Sequence, residues 1–143
     1  MPELPEVETV RSMLEPMLVG RRLEDVEIRD ERLTRPFDPA TVAAELEGER
    51  IAAVRRRGKY LVVQFENDRA LLVHLRMTGS FRRLEDDDET AHVRAVLTLD
   101  DGTQVGYRDV RRFGTWLVVE PEQLDDYLGA RLGAEPLERG FGP

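Results

Sequence analysis

The first residues of the chain carry a candidate nucleophile. The sequence begins Met1-Pro2-Glu3, and cells normally remove an initiator methionine that precedes proline, which leaves Pro2 at the N-terminus. Its secondary amine has a pKa near the α-amino reference of about 7.7–8.0, so a useful fraction is unprotonated at neutral pH. Such an amine can attack a carbonyl-like carbon and form an iminium ion, with Glu3 as general acid or base. A Met-Pro start is common, however, and alone it predicts nothing.

Lys59 is the second candidate. The chain contains one lysine against twenty arginines, and arginine cannot replace lysine where a proton must leave or arrive. Lys59 shares strand phase with Leu61 and Val63, so we expect it where a buried face meets the mouth of a cleft. Two alternatives stay open, namely that a single lysine survived by chance or that it contributes only to the electrostatics of a groove.

Positive charge is concentrated in two segments of an acidic chain. The formal net charge is −8, which by itself argues against nucleic-acid binding, because phosphate contacts need cations. Residues 50–60, however, hold four arginines and Lys59 with no acid, and residues 108–112 hold three arginines against Asp109. Acids cluster elsewhere, notably at residues 86–89. The pattern predicts either a DNA groove on an acidic body or a solvated surface rich in salt bridges.

These side chains must be positioned by a helix and a set of strands. Apolar residues recur at helical spacing from Val7 to Leu18 behind Pro5, and Gly20 is a stop signal. Asp38 and Pro39 predict the N-cap and first turn of a short helix that ends at Gly48. Alternating patterns predict strands at 23–29, 51–56, 59–66, 70–75, 93–99, 104–108 and 115–119, a polar loop at 83–90 and a closing helix at 121–128. The expected fold is mainly β with flanking helices, an antiparallel β-sandwich preceded by an N-terminal helix with a second short helix inserted.

Length and composition narrow the class of protein. The 143 residues, 41% hydrophobic and 35% charged, are enough for one folded domain. No apolar run approaches the roughly 20 residues of a membrane helix, and no signal peptide is apparent. We therefore expect a cytoplasmic monomer with no membrane partner. The absence of cysteine excludes disulfides and cysteine-ligated zinc from these residues, so we expect no metal and no cofactor in this chain.

Four blocks of sequence, in order, carry a family resemblance. They are Met1–Arg11, Arg56–Leu61, His74–Ser80 and Asp109–Gly114, and the exit Leu132–Leu137 fits as well. The combination resembles the formamidopyrimidine-DNA glycosylase family over essentially the whole chain, although Val110 stands where that family more often has proline. The resemblance implies base-excision repair of double-stranded DNA, in which a bifunctional glycosylase and abasic-site lyase removes oxidised purines such as formamidopyrimidines and 8-oxoguanine.

The resemblance also implies roles for the candidate residues. Pro2 attacks C1′ of the damaged nucleotide, displaces the base and forms a Schiff base. Glu3 protonates the sugar-ring oxygen, and Lys59 assists near the phosphates and in the elimination that cuts the strand.

Six further residues match positions of the family that contact DNA. The lesion must leave the stack at a cost of a few kcal/mol, and Met77, Arg111 and Phe113 match the side chains that fill the gap. His74, His92 and Arg112 match positions that contact the DNA backbone. Taken alone, Met77 and Phe113 are more typical of a core, and a strand histidine such as His92 is usually structural.

The resemblance further predicts how the chain is divided. Residues 1–131 form the N-terminal catalytic domain, and residues 132–143 begin an interdomain linker. The family's helix–two-turns–helix domain and its four-cysteine zinc finger, where zinc is expected, are absent from this sequence, so we expect an isolated domain with little activity.

Three other functions compete with this prediction. An endonuclease VIII-like glycosylase acts on oxidised pyrimidines, but Leu4 and the run Arg111–Gly114 favour the purine branch. A tautomerase uses an N-terminal proline as a base, but such enzymes open with a strand, and the arginine–phenylalanine loop would then have no task. A non-catalytic DNA-binding module is the third alternative.

Overall fold

The computed structural model describes residues 4–85 and 91–124. Up to residue 119, three helices and eight strands follow one another along the chain. They are α1 (Leu4–Leu18), β1 (Leu23–Ile28), α2 (Glu31–Thr34), α3 (Pro39–Leu46), β2 (Ile51–Arg57), β3 (Tyr60–Phe65), β4 (Ala70–His74), β5 (Gly79–Arg83), β6 (Val93–Leu99), β7 (Gln104–Asp109) and β8 (Thr115–Val119).

The strands form two antiparallel four-stranded sheets that share a core. One sheet has the order β1-β6-β7-β5 and the other β2-β3-β4-β8. Trp116, Tyr107 and Phe65 are fully buried between them, and Leu14 and Leu18 of α1 complete the same cluster. The sequence-based prediction of an antiparallel β-sandwich with an N-terminal helix and an inserted helix is confirmed.

Local differences from the predicted elements have physical reasons. Strand β5 was not predicted, because it begins at a glycine and ends in two exposed arginines around a single buried Phe81. Helix α2 is one turn long, too short for a periodic signal. The prediction that Lys59 begins a strand is wrong, since Gly58 (φ +60°) and Lys59 form the turn between β2 and β3. Residues 121–124 are helical, whereas the rest of the predicted closing helix, most of the acidic loop and residues 132–143 lie outside the described residues.

Antiparallel pairing brings the functional turns to one end of the sandwich. Tyr60 pairs with His74, which pairs with Thr115 on its other side. In the other sheet, Gly79 pairs with Asp109. Residues 57–60, 74–79, 91–92 and 108–114 therefore lie together, and we call this region the loop end.

Helix α1 runs antiparallel to β2 and starts at the loop end. Glu8 Oε1 accepts from Nε of Arg56 at 3.2 Å, and Arg11 Nη1 donates to the Val54 carbonyl at 3.4 Å. Further along the helix, the N–H of Gly20 donates to the carbonyl of Ile51 at 2.8 Å. The first described turn of α1 thus lies beside the end of β2 that leads into Lys59. Within residues 4–85 and 91–124, no helix has the length and apolar character needed to span a membrane.

Candidate nucleic-acid interface

Two large apolar side chains are exposed on neighbouring turns of the loop end. Met77 is 50% exposed and Phe113 is 45% exposed, although methionine and phenylalanine side chains are usually buried. Arg111 lies between the two turns, with its Nη1 at 3.9 Å from the Met77 sulfur. The family resemblance matches these three residues to side chains that fill the gap left by a lesion, and the structure places them on adjacent turns with Met77 and Phe113 exposed. Their contact with DNA stays a prediction.

The loop that carries Arg111 and Phe113 is organised by the carboxylate of Asp109. Asp109 is 1% exposed. Its Oδ1 accepts from the N–H of Arg112 at 3.2 Å and from the hydroxyl of Thr78, while Oδ2 accepts from the N–H of Gly114 at 2.7 Å. The carboxylate therefore supplies hydrogen-bond acceptors to a segment that has left the sheet.

Tyr107 explains why glycine stands beside both exposed turns. Its hydroxyl donates to Oδ2 of Asp109 at 3.4 Å and occupies the space where a side chain of Gly79 or Gly114 would lie. A Cβ at Gly114 would also meet Asp109 Oδ2 at 2.9 Å, and one at Gly79 would meet the Leu75 carbonyl oxygen at 2.6 Å. Contacts this short require the neighbouring side chains or the backbone to shift. Burial raises the pKa of the Tyr107 hydroxyl, and the adjacent Asp109 raises it further, so this group remains a neutral donor.

His74 is buried and neutral. It is 7% exposed, and its ring packs edge-on against Tyr60 with centroids 4.9 Å apart. Burial lowers the pKa of His74 to about 4, and the positive charges of Arg76 and Lys59 lower it further. Nδ1 accepts from the N–H of Arg76 at 3.0 Å, so the single proton of the neutral ring is placed on Nε2. His74 can therefore offer an N–H donor without a positive charge.

Arg112 is held by an acid from another part of the chain. Its Nε and Nη2 donate to the two carboxylate oxygens of Asp30, both at 2.7 Å. The hydrogen bonds from Arg112 lower the pKa of Asp30, which also caps α2 through the N–H of Arg32. Arg112 remains 40% exposed in its side chain, so the ion pair fixes its direction and leaves a surface for a phosphate.

His92 and Arg94 border the same loop. His92 is exposed and adopts a positive φ of 64°, and its carbonyl accepts from the N–H of Asp109 at 3.0 Å. Nε of Arg94 donates to the Asp109 carbonyl at 2.9 Å and Nη2 to that of Val110 at 3.3 Å. The backbone of Asp109 and Val110 is therefore hydrogen-bonded to both His92 and Arg94.

The loop end is strongly cationic despite the net negative charge of the chain. Residues 57–60, 74–79 and 108–114 contain six lysine or arginine residues, of which Arg57 is buried and Arg112 is paired with Asp30, and one acid, Asp109, which is buried and occupied by donors. Positive charge concentrated on one face is the electrostatic footprint of a nucleic-acid site.

The structure brings together seven of the nine residues predicted from the sequence: Lys59, His74, Met77, His92, Arg111, Arg112 and Phe113. Pro2 and Glu3 lie outside the described residues. Sequence reasoning missed Thr78, Asp109, Asp30 and Arg94, which position the loop. The available signal was that Asp109 is the only acid in an arginine-rich block. In the part of the chain that the structure describes, no cluster of three or more potential metal ligands occurs.

Comparison with known proteins identifies the family. Residues 1–116 match the model of the formamidopyrimidine-DNA glycosylase N-terminal domain. Formamidopyrimidine-DNA glycosylase of Laribacter hongkongensis is 46% identical over 144 residues, covering 99% of this chain and 52% of the relative. The Heliobacterium modesticaldum protein of the same name is 42% identical over 146 residues, covering 99% of this chain and 53% of the relative.

Solved structures agree in fold. The Lactococcus lactis protein Fpg in complex with DNA containing an abasic site has a TM-score of 0.83 at 35% identity, covering 91% of this chain and 48% of that one. A structure of MutM with DNA containing carbocyclic 8-oxo-G gives 0.83 at 36% identity, covering 91% of this chain and 48% of that one.

The chain belongs to the formamidopyrimidine-DNA glycosylase family, because the family model, the sequence identities and the fold all indicate it. Within that family it corresponds to the N-terminal domain, and it spans about half the length of the relatives it matches.

Proposed function

We propose that this chain is the catalytic domain of a base-excision repair enzyme, a DNA glycosylase with abasic-site lyase activity that removes oxidised purines. The observation that carries the proposal is the loop end, where two exposed apolar side chains and Arg111 lie on coupled turns of a cationic face. Relatives named formamidopyrimidine-DNA glycosylase and related proteins crystallised with abasic or 8-oxo-G DNA support the substrate class.

The exposed side chains suit the first step, in which the damaged nucleotide leaves the duplex. Unstacking and unpairing a base costs a few kcal/mol. Met77 and Phe113 enter the gap as wedges, and Arg111 bonds the partner base that has lost its pair. His74 donates through Nε2 to a phosphate oxygen and Arg112 pairs with another, so both hold the backbone while the nucleotide is extruded.

The chemistry then proceeds at Pro2. After Met1 is removed, the amine attacks C1′, the bond from C1′ to the base breaks, and the base departs with the electron pair of that bond and the proton that the Pro2 nitrogen gives up. Glu3 gives a proton to the sugar-ring oxygen as the ring opens, which yields the iminium ion. Loss of a C2′ proton then expels the 3′ phosphate, and Lys59 stabilises the leaving negative charge. The start of α1 beside the Lys59 turn supports this placement of the nucleophile.

Borohydride trapping tests the proposal. The chain is incubated with abasic duplex DNA and sodium borohydride, once with Met1 removed and once with Met1 retained, each N-terminus being verified by mass. With Met1 attached, the Pro2 nitrogen is an amide nitrogen with a delocalised lone pair, and no adduct is expected. With Met1 removed, we expect a covalent adduct on Pro2.

Two outcomes would contradict the mechanism. One is an adduct on Pro2 while Met1 is attached. The other is the absence of any adduct after Met1 removal at DNA concentrations that saturate binding, and this second outcome would favour a non-catalytic DNA-binding module.

A further inference from the structure

We propose that Thr78 and Asp109 clamp the Met77 turn to the loop that carries Arg111 and Phe113, so that the three side chains enter the duplex as one rigid unit. This inference rests on the proposed function. It assigns positioning roles to two residues that touch neither the lesion nor the reacting atoms.

A single hydroxyl joins the two segments. Oγ1 of Thr78 donates to Oδ1 of Asp109 and accepts from the N–H of Arg111 at 3.0 Å. A hydroxyl has one donor and two acceptor sites, so both bonds form at once. Thr78 follows Met77 directly, and the two bonds reach 31 and 33 residues along the chain. Every displacement of the Met77 turn is therefore transmitted to Arg111.

The carboxylate of Asp109 accepts as many hydrogen bonds as its two oxygens can hold. An ionised carboxylate offers about four lone-pair positions, and here it receives Thr78, the N–H groups of Arg112 and Gly114, and the Tyr107 hydroxyl. Residues 110–114 lie between β7 and β8 and make no ladder pairs, so these side-chain bonds take the place of a sheet. Because Asp109 is buried, water cannot compete for them easily.

Rigid turns favour the insertion of Met77, Arg111 and Phe113 into the duplex. Binding energy spent on ordering a loose loop is not available to hold a base out of the stack, and inserted groups act best when their supporting contacts fix them beforehand. The clamp fixes the backbone that carries Met77, Arg111 and Phe113 in this way.

The test uses the whole 143-residue chain and a duplex in which 2-aminopurine stands opposite a stable abasic analogue. The fluorescence of 2-aminopurine rises when its stacking is lost, so the signal at saturation reports insertion and the midpoint of the titration reports affinity. Thr78→Val removes the hydroxyl at nearly constant volume, and Thr78→Ser keeps it. Thr98→Val is the matched control, because the Thr98 hydroxyl accepts from Gln104 at the opposite end of the sandwich, at 3.3 Å.

We expect Thr78→Val to reduce the fluorescence rise at saturation and to weaken affinity about threefold to tenfold, since a bond to a charged acceptor is lost. Thr78→Ser restores both quantities, and Thr98→Val changes neither. A merely destabilised protein would give the full rise once saturated, so the saturating signal separates positioning from stability. In a Phe113→Ala background the effect of Thr78→Val shrinks, because the two changes remove the same insertion.

Two failures are distinguishable. If Phe113→Ala abolishes the rise while Thr78→Val keeps it, the clamp is refuted and the wedge stands. If Phe113→Ala also leaves the rise unchanged, the wedge role in the proposed function is wrong and the clamp is refuted with it.

Discussion

Acidification from pH 6.5 to 4 should destabilise this domain through His74. Its pKa in the folded protein is lowered to about 4 from an ordinary 6.5, first by burial and then by Arg76 and Lys59. The unfolded chain therefore binds a proton more readily than the folded chain across this window. By linkage, the stability that a neutral His74 provides is complete above pH 6.5 and is lost progressively as the pH falls to about 4.

The magnitude follows from the two pKa values. At roughly 1.36 kcal/mol per pH unit, the contribution lost is about 2 kcal/mol at pH 5 and about 3 kcal/mol at pH 4. Domains are typically stable by about 5–15 kcal/mol, so this loss is measurable. The hydrogen bond from Arg11 lowers the pKa of Glu8 to about 2, so the contribution of that carboxylate is lost between about pH 4.5 and 2. The two windows barely overlap.

Urea unfolding at a series of pH values measures the effect, with fluorescence of Trp116 as the probe. Trp116 is the single tryptophan and is 2% exposed. The matched variant is His74→Asn, whose side-chain oxygen can take the place of Nδ1 as the acceptor for Arg76 but has no proton to gain. We expect the free energy of unfolding of the wild type to fall about 2 kcal/mol further than that of the variant between pH 7 and 5.

Equal pH dependence of the two proteins would refute the assignment of His74 as the buried neutral group. NMR titration gives an independent check, since the chain has only two histidines and the variant identifies the signal of His74. A His74 signal that titrates near 6.5 would contradict the reasoning at its source.

Three further expectations concern the loop end. Gly114→Ala should destabilise the domain, and in a Tyr107→Phe background the same substitution should cost less, because the clashing hydroxyl is gone; equal costs in thermal melts would contradict this. Asp30→Asn keeps the cap of α2 but loses the charge that holds Arg112, so unfolding in urea at pH 7 should become easier. Because the folded pKa of Asp30 is depressed, its contribution is present above about 3.8 and the deficit of the variant should vanish as the pH falls below that value. The 143-residue chain should bind abasic duplex DNA weakly, and the logarithm of its binding constant should fall linearly with the logarithm of the salt concentration. Tight, salt-independent binding in anisotropy titrations would show that the cationic face is not the site.

Local patterns in the sequence predicted most strands and helices but not the contacts between loops. Apolar runs locate β3 and β4, which are buried almost throughout, and partial alternation locates β6. Lys59 matches the pattern of the residues that follow it, but Gly58 adopts a positive φ, so Gly58 and Lys59 form a turn and β3 begins only at Tyr60. The bonds that join the separate segments of the loop end include pairs 31 and 82 positions apart, between Thr78 and Asp109 and between Asp30 and Arg112. No spacing rule within one element can reveal such pairs.

The motif residues were accessible from the sequence for a different reason. Met77, Arg111 and Phe113 lie beside Gly79 and Gly114, within the two blocks His74–Ser80 and Asp109–Gly114. Each block resembles the family as a whole motif, so its residues could be recognised without knowing their contacts. Asp109 is part of the same block, but its task depends on being buried, which an acidic residue in an arginine-rich loop does not suggest.

Because every functional turn lies at one end of the sandwich, the opposite end is available for engineering. The turns at residues 66–69 and 100–103 close β3–β4 and β6–β7 there, and strands of six or seven residues separate them from the loop end by roughly 20 Å. Asp68 and Gly102 both adopt positive φ in tight, exposed turns, which are the sites where inserted sequence is tolerated best. A fluorescent reporter or an affinity handle can be inserted at either turn, leaving the face proposed to meet DNA unobstructed and Pro2 at the N-terminus.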